Sequence, residues 1–144
     1  MHMKHITYCF FLLTFLFSTT LSAQLKETIH QTFDIDDAKT VSIDLVGEYE
    51  IVKWPGNTIL THTYIELSDA RPSILSYYLK EGRYEIEGTG NGDQFTLVAK
   101  DRVRRPIMYK KLECYEYTKI KISIPDDFVV INNSSLVREE AAEE

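Results

Sequence analysis

The stretch "GEYEIVKWPGNTILTHTYIEL", residues 47–67, decides how the fold is interpreted. Two runs of strand-forming residues are separated by Pro55 and Gly56. Proline at the second turn position and glycine at the third predict a type II turn, whereas two-residue hairpins prefer types I′ and II′. We therefore expect a corner at this point, so that residues 48–53 do not pair with residues 58–63 through a tight hairpin.

Alternating apolar and polar residues predict strands along most of the chain. In "TKIKISI" (118–124), Ile120, Ile122 and Ile124 share one face, while lysines and a serine occupy the other. The isoleucine face is therefore expected to be buried. Similar patterns predict strands at 31–36, 40–45, 48–54, 58–67, 83–88, 94–100 and 128–131.

A single helix is predicted at residues 71–82, where apolar residues recur at helical spacing. Ser68 or Asp69 is a candidate N-cap, Pro72 suits a first turn, and Gly82 suits the C-terminal end. The predicted fold class is all-β with one short helix. The corner favours a β-solenoid, a single-stranded right-handed β-helix, and a β-sandwich is the alternative because its wide loops use similar turns.

Residues 1–23 have the composition of a signal peptide. Lys4 precedes the apolar run "ITYCFFLLTFLF", and small residues follow up to Ala23. Such a run is too short to span a bilayer, so no integral membrane span is expected once the signal is removed. We expect export to the periplasm, the cell surface or the extracellular medium.

Processing is expected to give a mature chain that starts near Gln24, because the apolar run and the small residues both end there. N-terminal sequencing of the exported protein measures this start directly. Recovery of exported protein with Met1 intact would contradict the signal interpretation.

The mature chain is predicted to form one β-rich domain at 24–135, followed by an acidic tail at 136–144 that is frayed or disordered. Loss of Lys4 takes the formal net charge from −6 to −7, which disfavours nucleic acid as a partner. Removal of Cys9 with the signal leaves Cys114 without a cysteine partner. The acidic neighbours of Cys114 predict an unreactive thiol.

Two segments have compositions that sometimes bind ligands. "DIDDAK" (34–39) supplies Asp34, Asp36 and Asp37, but it lacks the glycine and the later glutamate of a calcium loop, so a solvated turn is the simpler interpretation. "GTGNGD" (88–93) lacks the lysine and the helix start of a phosphate loop, and it predicts a flexible loop.

The basic segment "KDRVRRP" (100–106), with Lys110 and Lys111, could contact an acidic polysaccharide or the acidic face of a partner. On an acidic chain, a solvated loop is the alternative.

His30 and His62 are far apart in sequence and have no cysteine or acid at metal-ligand spacing. They therefore predict no metal site.

Trp54 and the tyrosines could form a sugar-stacking platform, although aromatic residues also fill strand cores. "NNSS" (132–135) is interpreted as polar edge positions. No residue is assigned to catalysis, to a metal or to a cofactor, and the chain is not predicted to be an enzyme.

Three ordered motifs are "VSIDLVGEYEIVKW" (41–54), "SILSYYLKEGRYEIEG" (73–88) and "TKIKISIPDDFVVINNSS" (118–135). Over residues 31–135 their order resembles the secreted adhesin families of Bacteroidetes-type bacteria, including the auto-transporter adhesin head domain called GIN. The resemblance implies a β-helix and transfers no catalytic residue. Those families continue through further coils after the position of "NNSS", whereas this sequence ends soon after it.

Three functions are compatible with these patterns. The first is a non-enzymatic exported β-domain with a structural or adhesion-like role at the cell envelope, where an unknown protein or glycan would be its partner. The second is a small secreted binding module for a sugar or peptide. The third, an envelope hydrolase, has no nucleophile motif behind it.

Overall fold

The computed structural model describes residues 24–139. The predicted signal peptide and residues 140–144 of the predicted tail lie outside this range. The elements, in chain order, are β1 (Leu25–Asp34), β2 (Thr40–Asp44), β3 (Glu48–Trp54), β4 (Thr58–Ser68), α1 (Pro72–Lys80), β5 (Ile86–Asn91), β6 (Gln94–Ala99), β7 (Met108–Tyr109), β8 (Leu112–Glu113), β9 (Tyr115–Pro125), β10 (Phe128–Asn132) and β11 (Ser135–Arg138).

The strands form two open sheets and a short ribbon. One sheet has the order β1-β4-β9-β3, the other has the order β10-β11-β2-β6-β5, and β7 pairs with β8. The all-β class with one short helix is therefore confirmed.

The sheets are not solenoid-like, so the β-solenoid expectation is not confirmed. Successive coils of a solenoid stack their strands in parallel, whereas most ladders here are antiparallel and only β2–β6 and β3–β9 are parallel among the described residues. Apolar side chains from both sheets meet in one core. This arrangement fits the sandwich alternative.

The corner at "WPGN" is confirmed, but its turn type is not the predicted one. β3 and β4 lie in one sheet with β9 between them, so they do not pair with each other. Gly56 does not have the positive φ that a type II turn requires at its third position. Glycine is needed here because a Cβ on Gly56 would lie 2.1 Å from the Trp54 ring.

The main core is built on the predicted isoleucine face of β9. Ile120, Ile122 and Ile124 are buried, whereas Lys119 and Lys121 on the opposite face are partly exposed. The full set of buried residues in this core comprises Ile35, Ala38, Val41, Ile43, Ile59, Ile86, Phe95, Leu97, Ile120, Ile122, Ile124, Phe128 and Leu136.

The helix confirms its prediction except at its start. Pro72 occupies the first turn, but Arg71 is the N-cap residue and its side chain makes no capping hydrogen bond, so neither Ser68 nor Asp69 is the N-cap. Gly82 follows the helix with φ +75°, as expected for a C-terminal glycine. The helix contributes Leu75 to a second core near the C-terminal end of β4, which consists of Ile65, Leu67, Leu75, Tyr84, Ile107 and Cys114.

The predicted boundary between domain and tail at residue 135 needs correction. Ser135–Arg138 forms β11, which lies between β10 and β2, and Leu136 is completely buried. The hydrophobic side chain of Leu136 therefore anchors this part of the predicted tail inside the sheet.

Candidate functional site

The long connection 100–114 between β6 and β9 covers the second core and contains the β7–β8 ribbon. Lys110 and Lys111 form the tip of this ribbon, at φ 50° and 67°. Two positive φ values match a type I′ turn, which usually contains asparagine and glycine, so two lysines carry backbone strain here. Strained residues of this kind are concentrated at functional sites, which makes this end of the molecule the candidate site.

A buried ion pair forms the floor of the site. Arg83 is 5% exposed and donates two hydrogen bonds of 2.8 Å to the two carboxylate oxygens of Glu116. The same guanidinium donates to the carbonyl of Arg105 at 2.8 Å and lies 3.6 Å from a carboxylate oxygen of Asp101. It also lies 5.0 Å from the centre of the Tyr78 ring. The Arg83 guanidinium is therefore satisfied by its own chain.

The pairing shifts the pKa values of both partners. Hydrogen bonding to Glu116 raises the pKa of Arg83 despite partial burial. Burial alone would raise the pKa of Glu116, but the contact with Arg83, the nearby Tyr84 hydroxyl and the charge of Arg104 outweigh it and lower that pKa. Burial, followed by proximity to Glu116, raises the pKa of Tyr84, whose buried hydroxyl makes no hydrogen bond of normal geometry.

A second guanidinium, that of Arg104, is less well satisfied. One Nη donates to the Thr118 hydroxyl at 3.1 Å, and the group lies 5.4 Å from the centre of the Tyr84 ring. Its Nε is buried without a hydrogen-bond partner. Within residues 24–139, no carboxylate forms an ion pair with Arg104. The pKa of Arg104 is lowered, and burial is the largest cause. This is expected for a buried cation that has no ion-pair partner among residues 24–139.

Arg104 lines an open cleft of about 430 Å³. Tyr115, an exposed residue at the start of β9, also lines the cleft, together with several residues of the 100–114 connection. The lining residues are Asp69, Arg83, Arg104, Arg105, Pro106, Ile107, Glu113, Cys114, Tyr115 and Glu116. A cleft with an incompletely paired guanidinium and an exposed aromatic ring can bind an anionic group that has an apolar face.

Cys114 lies in the cleft wall but is buried. Its Sγ donates a weak hydrogen bond of 3.5 Å to the carbonyl of Asp69. Burial, followed by the charge of Asp69, raises the pKa of the thiol. This environment agrees with the predicted unreactive cysteine.

The structure separates the residues of the predicted basic cluster. Arg102 pairs with Asp44, Arg104 enters the cleft, and Arg105 contributes its carbonyl to Arg83. The cluster is therefore more than a solvated loop. Arg83 and Glu116 were not predictable as a pair, because no local sequence signal links two positions that only the tertiary fold brings together.

The aspartates of "DIDDAK" form a turn. The carboxylate of Asp34 accepts a hydrogen bond of 3.2 Å from the backbone N–H of Asp36, whose φ is 41°. In the described part of the chain, no group of three or more His, Cys, Asp and Glu side chains is placed to hold a metal ion.

The "GTGNGD" segment is not the predicted flexible loop. Its first residues belong to β5, and only Gly92 and Asp93 turn the chain into β6. Gly88 is required inside the strand, because a Cβ there would lie 2.6 Å from the rings of Phe33 and Phe95.

His30 and His62 meet across the β1–β4 ladder, with ring centroids 4.5 Å apart. Only the strand register reveals this pair.

Trp54 is partly buried, and its indole N–H donates to the carbonyl of Thr58 at 2.9 Å. The Trp54 side chain therefore stabilises the corner at residues 54–58 and does not form the open sugar-stacking platform considered from the sequence. In "NNSS", the Asn132 side chain accepts a bond of 2.9 Å from the Ser134 N–H at the β10–β11 turn.

Comparison of the chain with protein-family models, with characterised proteins and with solved structures yields no match. Among residues 24–139, no helix has the length and apolar character that a membrane crossing requires. The geometry of the cleft is therefore the main guide to the function of this chain.

Proposed function

We propose that this chain is a non-enzymatic, exported β-domain with an adhesion-like role at the cell envelope, and that its cleft binds acidic groups of a glycan. Export is supported by the signal-like residues 1–23. The two sheets with a shared core fit a β-sandwich, a scaffold whose connecting loops commonly carry binding sites. The proposal assigns no catalytic residue, metal or cofactor.

The observation that carries this proposal is the contrast between the two arginines of the cleft. Arg83 is saturated by Glu116 and Asp101, whereas among residues 24–139 Arg104 has only the Thr118 hydroxyl and the Tyr84 ring as partners. A carboxylate or sulfate would supply the counter-ion that Arg104 lacks, through a charge-assisted hydrogen bond.

A glycan is favoured over a peptide because of the surroundings of Arg104. Tyr115 is 63% exposed in the cleft wall, and an exposed aromatic ring suits the apolar face of a sugar ring. Lys110 and Lys111, at the ribbon tip of the same 100–114 connection, add positive charge that would attract further acidic units of a polymer. A purely structural role at the envelope is the remaining alternative.

Replacing Arg104 with glutamine is expected to weaken binding to immobilised polygalacturonate about tenfold to a hundredfold, because the charge-assisted bond is lost. Wild-type binding should also fall as salt rises. The matched control is Arg102→Gln, since Arg102 is already paired with Asp44. Methyl-esterified polygalacturonate is the ligand control.

The melting temperature of Arg104→Gln should stay at or above that of the wild type, because the substitution removes a partly buried cation. Equal affinity of the two arginine variants would refute the assigned role of Arg104. Stronger binding to the neutral ester than to the acid would refute the ligand class. Binding restricted to acidic peptides would replace the glycan with the peptide alternative.

A further inference from the structure

His30 and His62 form a side-chain pair on the outer face of the β1-β4-β9-β3 sheet. They lie directly opposite each other in the β1–β4 ladder, and their ring centroids are 4.5 Å apart at an interplanar angle of 77°. Thr61 and Thr63, the neighbours of His62 along β4, are buried in the core, so both histidines point away from it. The sequence predicted no metal site because the two histidines are far apart in the chain, and the ladder removes that reason.

The spacing of the two rings matches two ligands at adjacent positions on one metal ion. Metal–nitrogen bonds of about 2.0–2.1 Å place the centre of an imidazole ring about 3.2 Å from the ion. Two such rings at a right angle then have centroids about 4.5 Å apart, whereas a tetrahedral angle separates them by about 5.2 Å. The observed 4.5 Å therefore corresponds to the right angle of a square-planar or octahedral ion.

This geometry and the ligand type together favour one metal. Cu²⁺ and Ni²⁺ prefer square-planar or tetragonal sites with nitrogen and oxygen ligands, and Cu²⁺ binds most tightly of the first-row divalent ions. Zinc sites are usually tetrahedral, and Ca²⁺ and Mg²⁺ prefer oxygen ligands. Among residues 24–139, no third His, Cys, Asp or Glu side chain joins the pair, so water would fill the remaining positions of a Cu²⁺ ion.

The pair combines an accessible ring with one that is held more firmly. His30 is exposed on the edge strand β1, so an ion can reach it and its ring can turn towards the ion. His62 is half-buried on β4, which is paired on both sides, with β1 and with β9. The β1–β4 ladder extends over the whole of β1 and maintains the register that brings the rings together. A preorganised pair loses little conformational entropy when it binds an ion.

The charges around the pair have opposing effects on a cation. The net charge of −6 attracts divalent cations to the protein as a whole. Lys121 lies opposite His62 in the β4–β9 ladder, and its charge opposes a bound cation. Glu50 lies opposite Lys121 on β3 and offsets part of that charge, although its carboxylate also pairs with Lys119 at 2.9 Å. Two protein ligands beside one lysine are expected to give micromolar affinity.

We propose that His30 and His62 bind one Cu²⁺ ion through one ring nitrogen each, at adjacent positions of a tetragonal site completed by water. The step is coordination alone, because each neutral imidazole donates a lone pair and displaces a water molecule from the ion. The site lies on the outer face of the sheet and shares no residue with the cleft. It therefore goes beyond the glycan-binding function and does not depend on it.

Calorimetric titration with CuCl₂ and with NiCl₂, on untagged protein recovered from an exporting host and without glycan, tests the proposal. The wild type should bind one Cu²⁺ with micromolar affinity and Ni²⁺ more weakly. Electron paramagnetic resonance of the Cu²⁺ complex should show a tetragonal signal with hyperfine coupling to two imidazole nitrogens. His30→Gln and His62→Gln should each weaken Cu²⁺ binding at least tenfold and should each lose the coupling to one nitrogen.

Thr28→Gln, two residues before His30 on the same face of β1, is the matched control and should bind Cu²⁺ like the wild type. Lys121→Gln removes the opposing charge and should tighten binding several-fold. Arg104→Gln should bind Cu²⁺ normally, so failure of the glycan proposal would not affect this one. Absence of Cu²⁺ binding at millimolar concentration, unchanged binding in both histidine variants, or coupling to a single nitrogen in the wild type would overturn the proposal.

Discussion

Ile122→Asp is expected to destabilise the protein by more than about 4 kcal/mol, which is enough to unfold many domains of this size. Ile122 has no exposed surface and lies in β9, a strand paired on both sides. Its ladder neighbours are Ile51 and Thr61, and Thr61 is itself buried with a hydroxyl that has no hydrogen-bond partner. Among residues 24–139, the buried core around Ile122 consists of apolar side chains and offers no cation to the new carboxylate.

The matched control is Lys121→Asp, one residue earlier on the opposite face of β9. Lys121 is partly exposed, and its ladder neighbours are Glu50 and His62. The new acid would face Glu50, so a cost of about 1 kcal/mol is expected. Urea unfolding of both variants measures the contrast. Equal free energies of unfolding would mean that the two faces of β9 are assigned the wrong way round.

Glu116→Leu is expected to destabilise the protein by about 3–5 kcal/mol, because the buried guanidinium of Arg83 loses two hydrogen bonds of 2.8 Å and keeps only the 3.6 Å contact with the carboxylate of Asp101. The side chains of Arg83 and Glu116 are 4% and 18% exposed, so water cannot easily replace the lost partner. The double variant Arg83→Met with Glu116→Leu removes both charges and should recover most of this loss. A double variant less stable than Glu116→Leu would show that the pair itself stabilises the fold.

The same pair predicts a dependence of stability on pH. The folded pKa of Glu116 lies below its ordinary value of 4.5, so the unfolded chain binds the proton more readily. The stabilisation is therefore fully present above pH 4.5 and is lost as the pH falls through the lower folded pKa. Glu116→Gln should show a shallower loss of stability in this acid range, and an unchanged slope would contradict the assignment.

The local elements of this protein could be predicted from alternation and spacing. The period of the isoleucines in β9 determines which side chains share a face, and the apolar spacing near Leu75 predicts α1. The corner after Trp54 was also predictable, although for the wrong turn type. Gly56 is required there because a Cβ would clash with the Trp54 ring, and not because the backbone has a positive φ.

The neighbours of each strand could not be predicted in this way. A period of two residues determines the face of a strand but carries no information about which strand lies beside it. β7 and β8 were missed because strands of two residues are too short to show a period. Most of β11 falls within the predicted tail, 136–144, because the acidic residues that follow the strand dominate the composition and Leu136 is the one fully buried residue there.

The sequence by itself determined the all-β class, the buried face of β9 and the position of the single helix, because these depend on residues close together in the chain. Only the tertiary structure decided between coils and two packed sheets. Within residues 24–139, it also brought Arg83 to Glu116, left Arg104 without an ion-paired carboxylate, and placed uncharged β10 at an edge. These features depend on contacts between distant residues, whose register is set by the packing of the whole core.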